Sequence, residues 1–183
     1  MNEIKNKTPY LLIAGDIHSG AAAFRRLIEL SNNPCCLAFL FTGDINLQNR
    51  EIRRQIKKKC DFIHVQGSHD SALGWDRFNL ENPPLFKDIR IQEIRLFMSH
   101  GYVLETPERC DLHSEDYDLV ITGHTHRVRL ENIHNTVFLN PGSAACPVAP
   151  DDPATYAILN LNNMTVEIKE MWTDETLQHV PLK

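Results

Sequence analysis

The feature that most constrains this chain is a repeated join, in which a short apolar run meets a glycine-containing turn and then a carboxylate or an imidazole. It first occurs at Tyr10-Leu11-Leu12-Ile13-Ala14-Gly15-Asp16-Ile17-His18. Cys36 to Phe41 closes in Thr42-Gly43-Asp44, and Phe62 to Val65 closes in Gln66-Gly67-Ser68-His69-Asp70. Leu96-Phe97-Met98 leads into Ser99-His100-Gly101, and Leu119-Val120-Ile121 into Thr122-Gly123-His124-Thr125-His126. Runs this short and continuously apolar are strands buried on both faces, the habit of parallel sheets. In open α/β sheets ligands bind beyond the carboxyl ends of such strands. Residues i and i+2 of an extended segment share a side, so Asp16 and His18 are expected to converge on one point.

Between the runs the period changes. Gly20 to Ser31 carries Ala21, Ala22, Phe24, Leu27, Ile28 and Leu30, the spacing of an amphipathic helix stopped by Asn32-Asn33-Pro34. Asn49 to Lys59 reads as a second helix with Ile52 and Ile56 on its buried side. Three strands separated by helices make βαβ units and a parallel sheet. Ser71 to Phe86, with Gly74, Trp75 and Pro83-Pro84, is expected to be a packed connection rather than a lid. From Ile89 the segments are shorter and alternating, and Val137-Phe138-Leu139 runs into Asn140-Pro141-Gly142-Ser143. Tyr156 to Leu161 and Thr165 to Trp172 are expected to pair as a β-hairpin turning at Asn162-Asn163, where asparagine tolerates φ > 0. The expected fold is α/β: a two-sheet α/β/β/α sandwich with a βαβαβ N-terminal half and a mostly β C-terminal half. Its 183 residues are expected to form a single domain, 1–183.

A net charge of −5 argues against bulk electrostatic binding to nucleic acid or an anionic membrane. No apolar stretch approaches the roughly 18 residues of a membrane span. Met1 to Pro9 is polar and contains lysine, so no secretory leader is expected and the chain is assigned to the cytoplasm. The five cysteines (Cys35, Cys36, Cys60, Cys110, Cys146) are odd in number and form no C-x-x-C pair. They are expected to be reduced, buried and structural rather than a disulfide framework or a thiolate zinc site.

Five of the nine histidines (His18, His69, His100, His124, His126) stand at run ends, beside Asp16, Asp44 and Asp70. Carboxylate and imidazole without thiolate suits Mn²⁺, Fe, Zn²⁺, Ni²⁺ or Co²⁺ rather than Ca²⁺ or a structural zinc. The groups outnumber what one ion needs. Two ions roughly 3.5–4 Å apart would use them all and activate water for in-line attack on phosphorus.

Gly15-Asp16-Ile17-His18, Gly43-Asp44, Gly67-Ser68-His69-Asp70, His100-Gly101 and Gly123-His124-Thr125-His126 resemble the successive motifs of the calcineurin-like metallophosphoesterase superfamily. Asn140-Pro141-Gly142-Ser143 and the short length resemble its small phosphodiesterase branch, which includes Vps29. The resemblance implies a first metal on Asp16, His18 and His126, with Asp44 bridging. It implies a second metal on Asp44, His100, His124 and position 68. It makes His69 the histidine over the scissile phosphate, steadied by a carboxylate for which Asp16 and Asp70 are both candidates. Two divalent transition metals follow, Mn²⁺ first among them.

Ser68 departs from the family motif, which has asparagine there. A serine hydroxyl is shorter and a poorer neutral ligand, so the second metal is expected to be weakened or to reach Ser68 through water, with catalysis retained. Other candidates have plainer readings. Arg53, Arg54, Lys57, Lys58 and Lys59 are expected on a solvated helix face, His64 in the sheet, His113 exposed, and Trp75 and Phe78 in local packing. The chain is thus expected to be a dinuclear metal-dependent phosphodiesterase on small or nucleotide-derived diesters. A binding module of the Vps29 type and a single-strand nuclease are the alternatives, nucleic acid is not a favoured partner, and homo-oligomerisation is left open.

Overall fold

The computed structural model describes residues 8–45, 50–56, 62–70, 82–102 and 116–182. The first half alternates as expected: β1 (Tyr10–Ala14), α1 (Ala21–Ser31), β2 (Cys36–Phe41), α2 (Arg50–Ile56) and β3 (Phe62–His64). Then come β4 (Phe86–Ile91), β5 (Ile94–Ser99), β6 (Leu119–Ile121), β7 (Val128–Ile133) and β8 (Thr136–Pro141). The chain closes with β9 (Thr155–Asn160), β10 (Thr165–Glu170) and β11 (Thr176–Pro181). The fold is mixed α/β, with a six-stranded sheet ordered β11-β10-β9-β1-β2-β3 and a five-stranded sheet ordered β4-β5-β6-β8-β7. Strands β1, β2 and β3 are parallel to one another, as are β5, β6 and β8.

Side-chain alternation explains the layering. Leu11 and Ile13 of β1 and Leu40 of β2 face Leu96, Met98, Leu119, Ile121, Val137 and Leu139 across the gap between the sheets. Their neighbours Leu12, Ala14, Phe39 and Phe41 point the other way, onto Phe24 and Leu27 of α1 and Ile52 of α2. A period of two thus sends every second residue of one strand into each of two cores. Phe24 is fully buried, with its ring 6.1 Å from Phe41 and 6.5 Å from Phe39. Fully burying such a side chain contributes about 1.5–3 kcal/mol. On the far face of the second sheet Phe97, Val120 and Phe138 pack together under Tyr117. Among the described residues both helices lie on the first sheet, and none is long and apolar enough to cross a membrane.

The hairpin β9–β10 forms, but the left-handed residue in its turn is Met164, at φ 53°. Asn162 and Asn163 instead donate their backbone N–H groups to Asn160 Oδ1. Strand β11 carries no legible pattern because it lies exposed at the sheet edge. The three described cysteines, Cys35, Cys36 and Cys146, form no disulfide and are half-buried, since they sit in turns and at a strand start rather than in the core. Lys57 to Lys59, Cys60, Trp75, Phe78, Cys110, His113 and most of Ser71 to Phe86 lie outside the described residues.

Candidate metal centre

The carboxyl ends of β1, β2 and β3 meet those of β5, β6 and β8 at one edge of the sandwich. Backbone hydrogen bonds stitch the junction: Asp16 N–H to the Gly43 carbonyl (3.0 Å), His18 N–H to the Asp44 carbonyl (3.1 Å) and Gly123 N–H to the His100 carbonyl (3.1 Å). Asp16 and His18 do converge, but strand alternation is not the cause. The chain has left the extended region, with φ at 53° for Asp16 and 37° for His18. Asp44, His124 and His126 share this left-handed backbone, at φ 58°, 70° and 58°. Such a conformation costs a non-glycine residue about 1–3 kcal/mol and persists only where the surroundings impose it. Gly67 makes room for one of these turns, because a Cβ there would overlap the backbone nitrogen and carboxylate of Asp44.

Three groups of side chains offer ligand atoms to a common point: Asp16, His18 and His126; Asp16, Asp44 and His100; and His18, Asp44 and His69. In the first, the Nε2 atoms of His18 and His126 are 3.0 Å apart, and His126 Nε2 is 3.5 Å from Asp16 Oδ1. His126 donates Nδ1–H to the Cys146 carbonyl at 2.6 Å, which leaves Nε2 aimed at the site. In the second, His100 donates Nδ1–H to the Thr42 carbonyl at 2.8 Å. Its buried Nε2 makes no hydrogen bond and lies 3.4 Å from Asp44 Oδ2 and 4.0 Å from Asp16 Oδ1. A bare nitrogen facing two buried carboxylates calls for a positive charge between them. A divalent cation fits that need, and the oxygen and imidazole donors suit a transition metal.

Packed this closely, the groups shift one another. Burial pushes the Asp16 carboxyl up to about 6, against the pull of the His100 and His126 imidazoles. Burial also acts to raise Asp44, but His100 and His69 outweigh it and hold this carboxyl well below the ordinary range. Burial would lower His100, and the two carboxylates reverse it to leave the imidazole above its usual value. Burial lowers His18 and His124.

Not every expected ligand joins. His124 belongs to none of the three groups; its backbone N–H reaches Asp16 Oδ2 at 3.1 Å, and its ring stands 5.2 Å from that of His100. Ser68 Oγ donates to Asp44 Oδ2 at 3.1 Å. The carboxylate holding His69 is neither Asp16 nor Asp70 but Asp44, whose Oδ2 is 2.9 Å from His69 Nδ1. Asp70 is buried and accepts the backbone N–H groups of Asp44, Ile45 and Gly67 at 2.9–3.0 Å. Its work is to shape the loops.

Sequence reasoning missed the supports. Asn140 donates from Nδ2 to the Gly123 carbonyl at 2.7 Å and to Thr125 Oγ1 at 3.1 Å, bracing the His124 loop. Ser143 Oγ donates to the Asp16 carbonyl at 2.6 Å. The motif Asn140-Pro141-Gly142-Ser143 was their only signal. The ring of Tyr102 stands 5.6 Å from that of His100, with nothing in the sequence to mark it. His64 stacks on Phe62 at 4.9 Å, and burial with nearby Lys87 pushes it down to about 4, as suits a sheet-face histidine. Arg54 pairs with Glu51 on an exposed helix face.

A family model described as the calcineurin-like phosphoesterase superfamily domain matches residues 10–164. The chain is 23% identical over 168 residues to "Phosphodiesterase YfcE" of Escherichia coli strain K12, covering 85% of this chain and 90% of that one. It is 27% identical over 139 residues to "Phosphodiesterase MJ0936" of Methanocaldococcus jannaschii, covering 71% and 81%. In fold it is similar to the solved Escherichia coli YfcE structure, with TM-score 0.81 at 22% identity, covering 95% and 100% of the two chains. It is also similar in fold to Entamoeba histolytica Vps29 solved with zinc, with TM-score 0.70 at 21% identity, covering 95% and 99%.

Proposed function

Because the chain belongs to the calcineurin-like phosphoesterase superfamily, we propose that it is a dinuclear metal-dependent phosphodiesterase acting on small or nucleotide-derived diesters. The observation that carries this reading is His100 Nε2, buried, without a hydrogen bond, and facing the carboxylates of Asp16 and Asp44. Asp16, His18, His126 and Asp44 would hold one divalent transition metal; Asp44, His100 and His124 would hold the other, with Ser68 beside it. Mn²⁺ is the favoured ion. When bound, such a pair supplies Lewis-acid polarisation of the phosphoryl oxygen and a water acidified for attack.

The chain's own residues set the rest. Asp44 ties the two halves, and Asp70 fixes the Asp44 backbone through the three hydrogen bonds it accepts. His69 is 71% exposed at the mouth, with Nδ1 held by Asp44 Oδ2. Its Nε2 is left for the substrate, where it stabilises phosphoryl charge or hands a proton to the leaving oxygen. The name shared by YfcE and MJ0936 supports the phosphodiesterase reading. Ser68 and the fold likeness to Vps29 favour a second reading, a binding module with a weakened centre.

Hydrolysis of bis(p-nitrophenyl) phosphate by the Mn²⁺-loaded protein separates the two. The enzyme reading expects turnover that chelation or Asp44→Asn abolishes. No turnover with any divalent metal overturns it in favour of the binding module.

A further inference from the structure

A cleft of about 470 Å³ opens beside the first half of the centre, within the roughly 300–1,000 Å³ typical of small-molecule sites. It lies where the edges of the two sheets meet, with Val128 at the start of β7 on one side and Leu177 and Gln178 of β11 on the other. His126 joins it to the candidate centre: the residue lines the cleft while its Nε2 faces Asp16 and His18. The floor continues through Val148, Ala149 and Pro153, on the segment that begins at Cys146, whose carbonyl fixes the His126 ring.

Two features of the lining point to an occupant. Val148 and Leu177, which both line the cleft, are large apolar side chains left 49% and 41% exposed. Arg127 stands exposed between His126 and Val128, and among the described residues its guanidinium has no ion-pair or hydrogen-bond partner. The acid in the cleft, Asp152, already accepts the Ala149 N–H at 3.2 Å. An unpaired guanidinium with open donors recognises carboxylate or phosphate oxygens.

We propose that this cleft seats the non-leaving arm of the phosphodiester, and that it selects arms with an apolar, ring-sized body and a second anionic group read by Arg127. The inference rests on the phosphodiesterase reading and deepens it by naming the substrate class. The centre would bind the scissile phosphoryl group, His126 would mark the junction, and the arm would run over Val148 and Leu177 until its anion reaches Arg127.

Three diesters with a common p-nitrophenolate leaving group test this: the methyl, phenyl and 4-carboxyphenyl p-nitrophenyl phosphates. kcat/KM is expected to rise in that order, with the 4-carboxyphenyl ester at least about tenfold above the methyl ester, as a charge-assisted contact gives. Arg127→Gln should collapse the 4-carboxyphenyl to phenyl ratio, and Leu177→Ser the phenyl to methyl ratio by roughly threefold. Equal ratios in wild type and variants overturn the proposal. If no ester is cleaved, the phosphodiesterase reading fails, and calorimetry with 4-phosphonobenzoate against phenylphosphonate decides the cleft separately. Tighter binding of the carboxylated ligand by wild type but not by Arg127→Gln supports it, and equal binding in both overturns it.

Discussion

Asp16, His18 and His126 are closed into a set by their surroundings, whereas Ser68, His100 and His124 are only partly so. In the first half the Asp16 carbonyl takes the Ser143 hydroxyl, the Asp16 carboxylate takes the His124 N–H, and the Cys146 carbonyl fixes the His126 ring. In the second half His100 is buried and fixed by Thr42, but the His124 side chain is exposed and Ser68 is engaged with Asp44. Both halves carry left-handed backbone, so strain alone does not distinguish them. What differs is that both imidazoles of the first half already face its carboxylate, whereas in the second half His100 does and His124 does not. A half that is assembled before the ion arrives spends less of its binding free energy on ordering, so the first half should bind metal more tightly.

Asp44 lies in the group with His18 and His69 and in the group with Asp16 and His100, so Asp44→Asn is the strongest test of whether the proposed halves are coupled. Losing an outer-shell partner costs roughly 10–100-fold, and a shared ligand should cost more than about 100-fold in diesterase kcat/KM. Loss of only one metal equivalent by elemental analysis, with activity kept, would break the picture of a common ligand. Next comes Asp70→Ala, which strands three buried backbone donors. At about 1–3 kcal/mol each, the variant should lose about 3 kcal/mol or more in chemical denaturation. A loss under 1 kcal/mol would mean that water replaces the carboxylate.

Asn140→Ala unties the Gly123 carbonyl and Thr125 from their brace. Metal affinity should fall about tenfold or more, as for other outer-shell contacts, read by calorimetric titration. Ser68→Asn works in the opposite direction and should have the smallest effect. The longer amide supplies a better neutral oxygen, so the weaker metal should tighten by roughly tenfold. Equal stoichiometry and affinity in both forms would show that position 68 does not limit the second half.

Much of this arrangement is legible in the sequence, for a local reason. Asp16, Asp44, His69, His100 and His126 each follow an apolar run, and a buried parallel strand delivers the residue after it to one edge of its sheet. Strand alternation does not bring Asp16 and His18 together, because it holds inside a strand and these residues lie beyond Ala14 at positive φ. The supports are illegible for a different reason. The Thr42 carbonyl meets His100, and Ser143 meets the Asp16 carbonyl, only when two sheets close on each other. No local period encodes such contacts. Strand β11 escapes notice because an exposed edge has no buried face to impose alternation.

The proposed centre holds two ions, and its halves differ in readiness. Calorimetric titration of metal-free protein with Mn²⁺ tests it most directly. The expected result is two binding steps per chain, at least about tenfold apart, with His126→Ala removing the tighter and His100→Ala the weaker. A single equivalent, or two steps with the variants acting in the reverse order, would contradict it.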